Sequence, residues 1–270
     1  MNVKFCPLVS GSSGNSTYIC NGNTHILIDA GVSCKQIVEH IRQIGVEPED
    51  LDAVFITHEH IDHIKGAGVL SRKYNIPVYA TPGTWQGIGS TVGDFAPENV
   101  RYVYPDSMMV LGDLCVKPFA IPHDTIEPVA YSVFTESRKL TVATDIGCAT
   151  TKVKENIYDS DVLLLESNHD VDMLKNGSYP WHLKKRILGE RGHLSNVCAG
   201  ETLGEIMSGR LKYVFLGHLS NENNEPHLAY ETVDRILEDN NIKVGKHLDL
   251  DIAGHKKFPL RRRINSQTWA

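Results

Sequence analysis

A short apolar run, Ala53-Val54-Phe55-Ile56, passes directly into Thr57-His58-Glu59-His60-Ile61-Asp62-His63. Such a run reads as a buried strand, so the histidine-rich stretch is a loop leaving the core. Where the chain is still extended, His58 and His60 point the same way, because side chains at i and i+2 share a face. Asp62 and His63 then open a new helix and aim at a second point nearby. Imidazole nitrogen and carboxylate oxygen suit zinc, manganese or iron. The order of residues therefore predicts one metal on the His58/His60 pair and a second on Asp62/His63. The competing reading, a polar loop rich in histidine by chance, needs several residues to fall in this order by accident.

The 270-residue chain is long enough for a full core, and 41% hydrophobic and 22% charged residues are ordinary for a soluble globular protein. Met1 to Phe5 lack the apolar region of a signal peptide, and no apolar run approaches the ~20 residues of a membrane span. Cys6, Cys20, Cys34, Cys115, Cys148 and Cys198 form no CxxC and read as reduced thiols packed as small apolar residues. A cytoplasmic protein with no membrane association is expected. The net charge of −6 argues against a broad basic surface that coats nucleic acid. Two local patches run the other way: Lys184-Lys185-Arg186 with Arg191, and the tail with Lys256, Lys257 and Arg261 to Arg263. Each weighs evenly against an ordinary solvated face.

Short strands alternate with helices. Strands are expected at 26–29, 53–57, 77–80, 116–121, 130–134, 140–144, 162–165 and 213–216. Ile37, Val38, Ile41 and Ile44 mark a helix that stops at Gly45, and Ile64, Ala67, Leu70 and Tyr74 mark another. Further helices are expected over 195–207 and 227–239. Residues 82–115, rich in Gly and Pro, resist assignment. The 162–165 and 213–216 runs are apolar enough to be buried on both faces. Strands flanked by helices in both halves suggest two packed sheets with helices outside. No linker divides the chain, so one domain over 1–270 is expected.

Three more polar residues follow expected strands: His123 after Ile121-Pro122, Asp145 after Ala143-Thr144, and His218 after Leu216-Gly217. Strand ends entering loops are where sites are built. Two metals need about four protein ligands each, counting a shared carboxylate and leaving room for water. His58, His60 and His123 complete one metal, Asp62, His63 and His218 the other, and Asp145 bridges them. A water shared by two divalent ions loses its proton near neutral pH and becomes a strong nucleophile.

His58-x-His60-x-Asp62-His63 followed by His123, Asp145 and His218 resembles the metallo-β-lactamase superfamily along essentially the whole chain. The resemblance implies an α/β fold, the αββα sandwich, with a dinuclear site on one edge and Asp29 bracing the metal loop. Ser10 to Ser16, Thr57 to Gly66, Ile121 to Asp124, Glu166-Ser167-Asn168-His169-Asp170, Gly192 to Asn196 and Gly217 to Asn224 together are similar to the YycJ/WalJ family. That implies metal-dependent 5′ to 3′ exonuclease action on DNA; the imidazole and carboxylate donors themselves admit two ions of Mn or Zn, or Fe. The stretch from Asp145 to His218 leaves no room for the large inserted domain of the ribonuclease J type. Protein partners are not identified.

Leaving-group protonation needs an acid. If Glu166 and His193 meet, the carboxylate favours the charged imidazole, and His193 can contact the phosphate or protonate the leaving oxygen. This is similar to the Glu/His pair of the ribonuclease Z type. Asp62, His193 and Glu166 make up the expected catalytic group. In the Ser10 to Ser16 loop, Ser12 and Asn15 are candidates to meet an anion through closely approaching backbone N–H groups. Ser195 is an expected helix N-cap, where free N–H groups favour phosphate and Asn196 assists. Asn221 is a candidate cleft residue. Trp181 is a candidate for base stacking, weighed against an interface or core role. His169 and Asp170 have no place in a metal set already complete. Two other functions compete with the nuclease: a small-molecule phosphodiesterase or thioesterase using the same metals, and a metal-dependent binding or signalling protein without catalysis. The intact ligand set counts against the last.

Overall fold

The computed structural model describes residues 3–254. The basic tail at 256–263 lies outside the described residues. Internal contacts divide them into two compact units, residues 3–120 with 125–137, and residues 121–124 with 138–254.

In the first unit, β1 (Lys4–Val9), β2 (Ser16–Asn21) and β3 (Thr24–Ile28) form an antiparallel meander. The chain continues through α1 (Cys34–Gln43), β4 (Ala53–Phe55), α2 (Ile61–Ile64), α3 (Ala67–Tyr74), β5 (Val78–Ala80), α4 (Pro82–Ile88) and β6 (Val100–Tyr102). The sheet runs β1-β2-β3-β4-β5-β6, parallel from β3 onward. A second antiparallel set follows: β7 (Met109–Leu111), β8 (Leu114–Ala120) and β9 (Val129–Phe134).

Local sequence explains these elements. Ser33 and Gln36 close a capping box on α1, which turns Ile37, Val38 and Ile41 into a core with Leu27 and Val54. The helix expected around Ile64 to Tyr74 is two helices, broken at Lys65-Gly66. The Gly66 N–H donates to the Ala30 carbonyl at 2.8 Å, and a Cβ there would stand 2.3 Å from the Val32 carbonyl oxygen. Only glycine lets the two backbones approach this closely. The unassigned stretch 82–115 holds α4, capped by Thr81 with Pro82 in its first turn, and the short strands β6 and β7.

The second unit comprises β10 (Lys139–Ala143), α5 (Thr151–Ile157), β11 (Val162–Glu166), α6 (Val171–Asn176), α7 (Trp181–Ile187), α8 (Asn196–Ile206), β12 (Tyr213–Gly217), α9 (Pro226–Asp239) and β13 (Asp249–Ile252). Its strands are parallel in the order β10-β11-β12-β13. Every residue of β11 is buried, as expected of a strand covered on both faces. α8 and α9 fall within a residue of their expected starts.

Register places the functional residues. Glu166 pairs with Gly217, so His218 leaves β12 where Glu166 ends β11, and Asp145 follows the end of β10 two residues on. In the first unit Ile28 pairs with Phe55, which sets Asp29 beside the start of the histidine loop. Parallel strands thus deliver these residues from their carboxyl ends, where α/β sheets build sites.

Candidate metal-binding site

In the first unit the histidine loop is anchored through one buried carboxylate. Asp29, 2% exposed, accepts from the Thr57 N–H at 2.8 Å and from the Thr57 hydroxyl at 3.0 and 3.1 Å. It also lies 2.8 Å from His63 Nδ1. Burial pushes the Asp29 carboxyl above its ordinary value, opposed by the charge and hydrogen bonds of His63 and Thr57. The Asp29–His63 contact fixes the Nδ1–H tautomer and turns the His63 Nε2 lone pair outward. Thr57 Oγ1 lies 3.0 Å from His58 Nδ1, leaving His58 Nε2 for the same side. His58 Nε2 then stands 3.2 Å from His60 Nδ1, and His63 Nε2 stands 3.5 Å from Asp62 Oδ2. His60 caps α2, so Asp62 and His63 lie in its first turn, as the sequence predicts.

These separations suit a cation. Two nitrogens at about 2.0–2.1 Å from one tetrahedral metal stand about 3.3–3.4 Å apart. The His58–His60 spacing of 3.2 Å matches, and it joins the two nitrogens that each ring presents.

The second unit repeats the device with Glu166, which is fully buried. Its Oε1 lies 2.7 Å from His193 Nδ1 and 2.9 Å from His218 Nδ1. Its Oε2 accepts from the Ile146 N–H at 2.7 Å and the Leu194 N–H at 3.1 Å. Burial alone would raise this carboxyl, but the charge and hydrogen bond of His193 and the hydrogen bond of His218 outweigh it and hold it at about 2. For His193, burial works downward and is overcome by Glu166, with help from Asp145, so the imidazole sits above its ordinary value. Asp145, Glu166, His193 and His218 offer ligand atoms within 4.8 Å of one another. His123 donates Nδ1–H toward the Gly192 carbonyl at 3.2 Å and presents Nε2 at 3.7 Å from Asp145. Burial lowers its pKa and favours the neutral, ligating form.

Three residues leave their strands with left-handed backbones: Asp29 at φ 64°, Asp145 at φ 58° and His218 at φ 55°. Such conformations cost about 1–3 kcal/mol each and persist only where surroundings enforce them. Here they turn the chain sharply enough to aim each side chain back along the strand ends.

The metallo-β-lactamase superfamily model matches residues 9–218. The exodeoxyribonuclease YycJ of Bacillus anthracis is 36% identical over 251 residues, covering 93% of this chain and 95% of that protein. The exodeoxyribonuclease WalJ of Streptococcus pneumoniae is 38% identical over 247 residues, covering 91% of this chain and 92% of that protein. This chain belongs to the metallo-β-lactamase superfamily, in its YycJ/WalJ family. Its fold is that of the superfamily: the metallo-β-lactamase fold protein YhfI from Bacillus subtilis superposes with a TM-score of 0.69 at 15% identity, over 94% of this chain and 98% of that one. The α/β class expected from the sequence stands, and family membership with these His/Asp clusters makes the chain a divalent-metal hydrolase.

For a YycJ/WalJ member, several other expected residues take specific places. Asn15 is 5% exposed and works as a brace: its amide contacts Gly11, lies 3.4 Å from Asp62 Oδ2 and 3.1 Å from His63 Nε2. Ser12 and Asn221 are exposed. Ser195 is the N-cap of α8, accepting from the Cys198 N–H at 3.1 Å. Asn196 is fully buried, and its amide is engaged by Ser167 Oγ at 2.7 Å and by Asn224. That polar network, and the contact from Asn168 Nδ2 to the His218 carbonyl at 2.9 Å, fix the loop that carries His218. Ser167, Asn168, Asn196 and Asn224 all stand in the family-like stretches, but their bracing of one another depends on tertiary neighbours that the residue types do not announce. His169 is 1% exposed with neither ring nitrogen hydrogen-bonded, and burial pushes it down to about 4.

In the basic run at 184–191, weighed evenly between a nucleic-acid patch and a solvated face, three of the four basic residues (Lys184, Arg186 and Arg191) are engaged within the protein. Lys184 is buried and donates Nζ to the Lys175 and Gly177 carbonyls at 2.8 and 2.7 Å. Arg191 donates to the His123 carbonyl at 2.8 and 2.6 Å, and Arg186 pairs with Asp124. Arg186 and Arg191 thus hold the His123 loop, and Lys184 holds the carbonyls at the carboxyl end of α6. Backbone carbonyls beyond a helix end and at a loop are strong acceptors for cations, which a charge count along the sequence does not reveal.

Proposed function

We propose that this chain is a dinuclear metal-dependent phosphodiesterase that shortens DNA from a 5′ end. What carries the reading is an intact donor set in a chain matched along more than nine-tenths of its length by proteins named exodeoxyribonucleases. His58, His60 and His123 are proposed to hold one ion and Asp62, His63 and His218 the second, with Asp145 shared. The imidazole and carboxylate donors fit manganese or zinc, and admit iron. Bound there, divalent ions would supply an acidified water and a counter-charge for a phosphoryl oxygen.

The chain's own residues supply the rest. Glu166 holds His193 by Nδ1, which offers Nε2–H to the leaving oxygen as a general acid. Asp29 and Glu166 keep His63 and His218 in the tautomer that presents Nε2. Asn15 steadies the loop carrying Asp62. The whole chain of 270 residues is proposed to act as one catalytic domain. Among the described residues no helix is long and apolar enough to cross a membrane, which is compatible with a proposed cytoplasmic location.

The spent basic run favours a second reading, a small-molecule phosphodiesterase or thioesterase with the same donors. One assay separates them. Manganese-loaded protein is given 5′-phosphorylated duplex DNA labelled at the 3′ end, with Asp145→Ala and a chelator as controls. Progressive shortening by the wild type alone supports the exonuclease, and activity should fall steeply with salt. Intact DNA beside salt-insensitive hydrolysis of a small diester would replace it with the second reading.

A further inference from the structure

The second unit carries an exposed aromatic that the metal site does not use. Trp181 opens α7 with 61% of its surface exposed. Lys185, one helical turn on, holds its Nζ 5.5 Å from the centre of the indole ring. Leu188, 40% exposed, continues the same face at i+7, and His182 beside it is also exposed. α7 contains no acidic residue. A singly exposed indole needs no partner by itself; what singles this one out is the ammonium held beside its ring and the link from the same helix to the metal-ligand loop.

The helix is not an independent surface feature. Arg186, on α7, pairs with Asp124, and Arg191, just beyond it, donates twice to the His123 carbonyl. The chain then reaches His193 directly, whose N–H donates back to the Ile187 carbonyl at 3.0 Å. The exposed face of α7 is thereby tied on its other side to a proposed metal ligand and to the proposed general acid.

We propose that Trp181 and Lys185 form a stacking platform for a nucleobase of a single-stranded DNA segment near the scissile phosphate. This rests on the nuclease reading and names its grip. A flat aromatic receives any base through its π face, and an ammonium beside it meets the adjoining phosphate. That pairing of chemistries fits a nucleotide better than an apolar protein surface, which would leave Lys185 without a counter-charge. The platform also accounts for how a chain of net charge −6, whose arginines here are committed internally, can hold an anionic polymer.

The test uses the full, manganese-loaded chain with a 5′-phosphorylated oligothymidylate and, separately, bis(p-nitrophenyl) phosphate. Trp181→Ala should raise KM for the oligonucleotide about tenfold with kcat little changed. Trp181→Phe, which keeps a ring, should restore most of it, and neither variant should alter turnover of the small diester. Tryptophan emission should be quenched by the oligonucleotide in the wild type, and this quenching should disappear in Trp181→Phe. Unchanged KM and unchanged quenching in these variants would overturn the platform. So would sedimentation showing a wild-type dimer that Trp181→Ala dissociates, because the face would then belong to a second copy. The quenching needs no turnover, so a chain that binds DNA through Trp181 without cutting it would refute only the nuclease reading.

Discussion

Glu166→Gln is the substitution that most sharply probes how the second unit holds its histidines. The carboxylate receives four donors, two imidazole N–H groups on Oε1 and two backbone N–H groups on Oε2. Glutamine has one acceptor oxygen, so whichever way its amide turns, two buried donors face an NH2. Each orphaned donor costs about 1–3 kcal/mol, giving about 2–6 kcal/mol in all. Burial alone would raise this carboxyl, but the charge and hydrogen bond of His193 and the hydrogen bond of His218 hold it below the ordinary 4.5, at about 2, so its ionised form stabilises the fold. Because the folded pKa is depressed, this stability is present above pH 4.5 and is lost as the pH falls through about 2. The assay is thermal unfolding of metal-free protein at neutral pH, where the variant should melt about 5–20 °C lower. If the amide turns its NH2 toward the imidazoles, His218 must move its proton to Nε2 and lose the outward lone pair. Calorimetric metal affinity should then fall about 10–100-fold. A variant with wild-type melting and wild-type metal affinity would refute the reasoning.

Other expectations follow from buried polar groups. Lys184→Met should lower stability by about 1.5–3 kcal/mol in denaturant unfolding, because the carbonyls of Lys175 and Gly177 lose a charged donor. His169 is held neutral, its pKa lowered from 6.5 to about 4, so the folded state resists a proton that the unfolded chain accepts. Stability should decline as pH falls from about 6.5 toward 4. His169→Phe should flatten that decline in acid unfolding and leave neutral stability equal or higher, since an apolar ring has no nitrogens to leave unpaired.

The donor set was readable because its chemistry needs particular residue types in one order, and strand ends are marked by apolar runs that stop. His58 to His63, His123, Asp145 and His218 all follow such runs, and the structure delivers each from a strand end. Glu166 meeting His193 was expected; that the same oxygen also holds His218 was not, because it depends on the Glu166–Gly217 register across parallel strands. The left-handed turns at Asp29, Asp145 and His218 left no trace either, as aspartate and histidine reach that conformation without a glycine to announce it. Strands β1, β2 and β13 escaped because Ser16 to Asn21 and Asp249 to Ile252 mix polar and apolar residues whose burial is set by neighbouring strands. The fate of Lys184 and Arg191 is tertiary: a charge run looks alike whether it faces water or backbone carbonyls.

The most direct test of the proposed ligand assignment is anomalous diffraction at the manganese edge from crystals grown with Mn²⁺. The account predicts two peaks per chain, one on His58, His60 and His123 and one on Asp62, His63 and His218, with Asp145 touching both. A single peak, or an ion seated on Glu166 and His193, would contradict it.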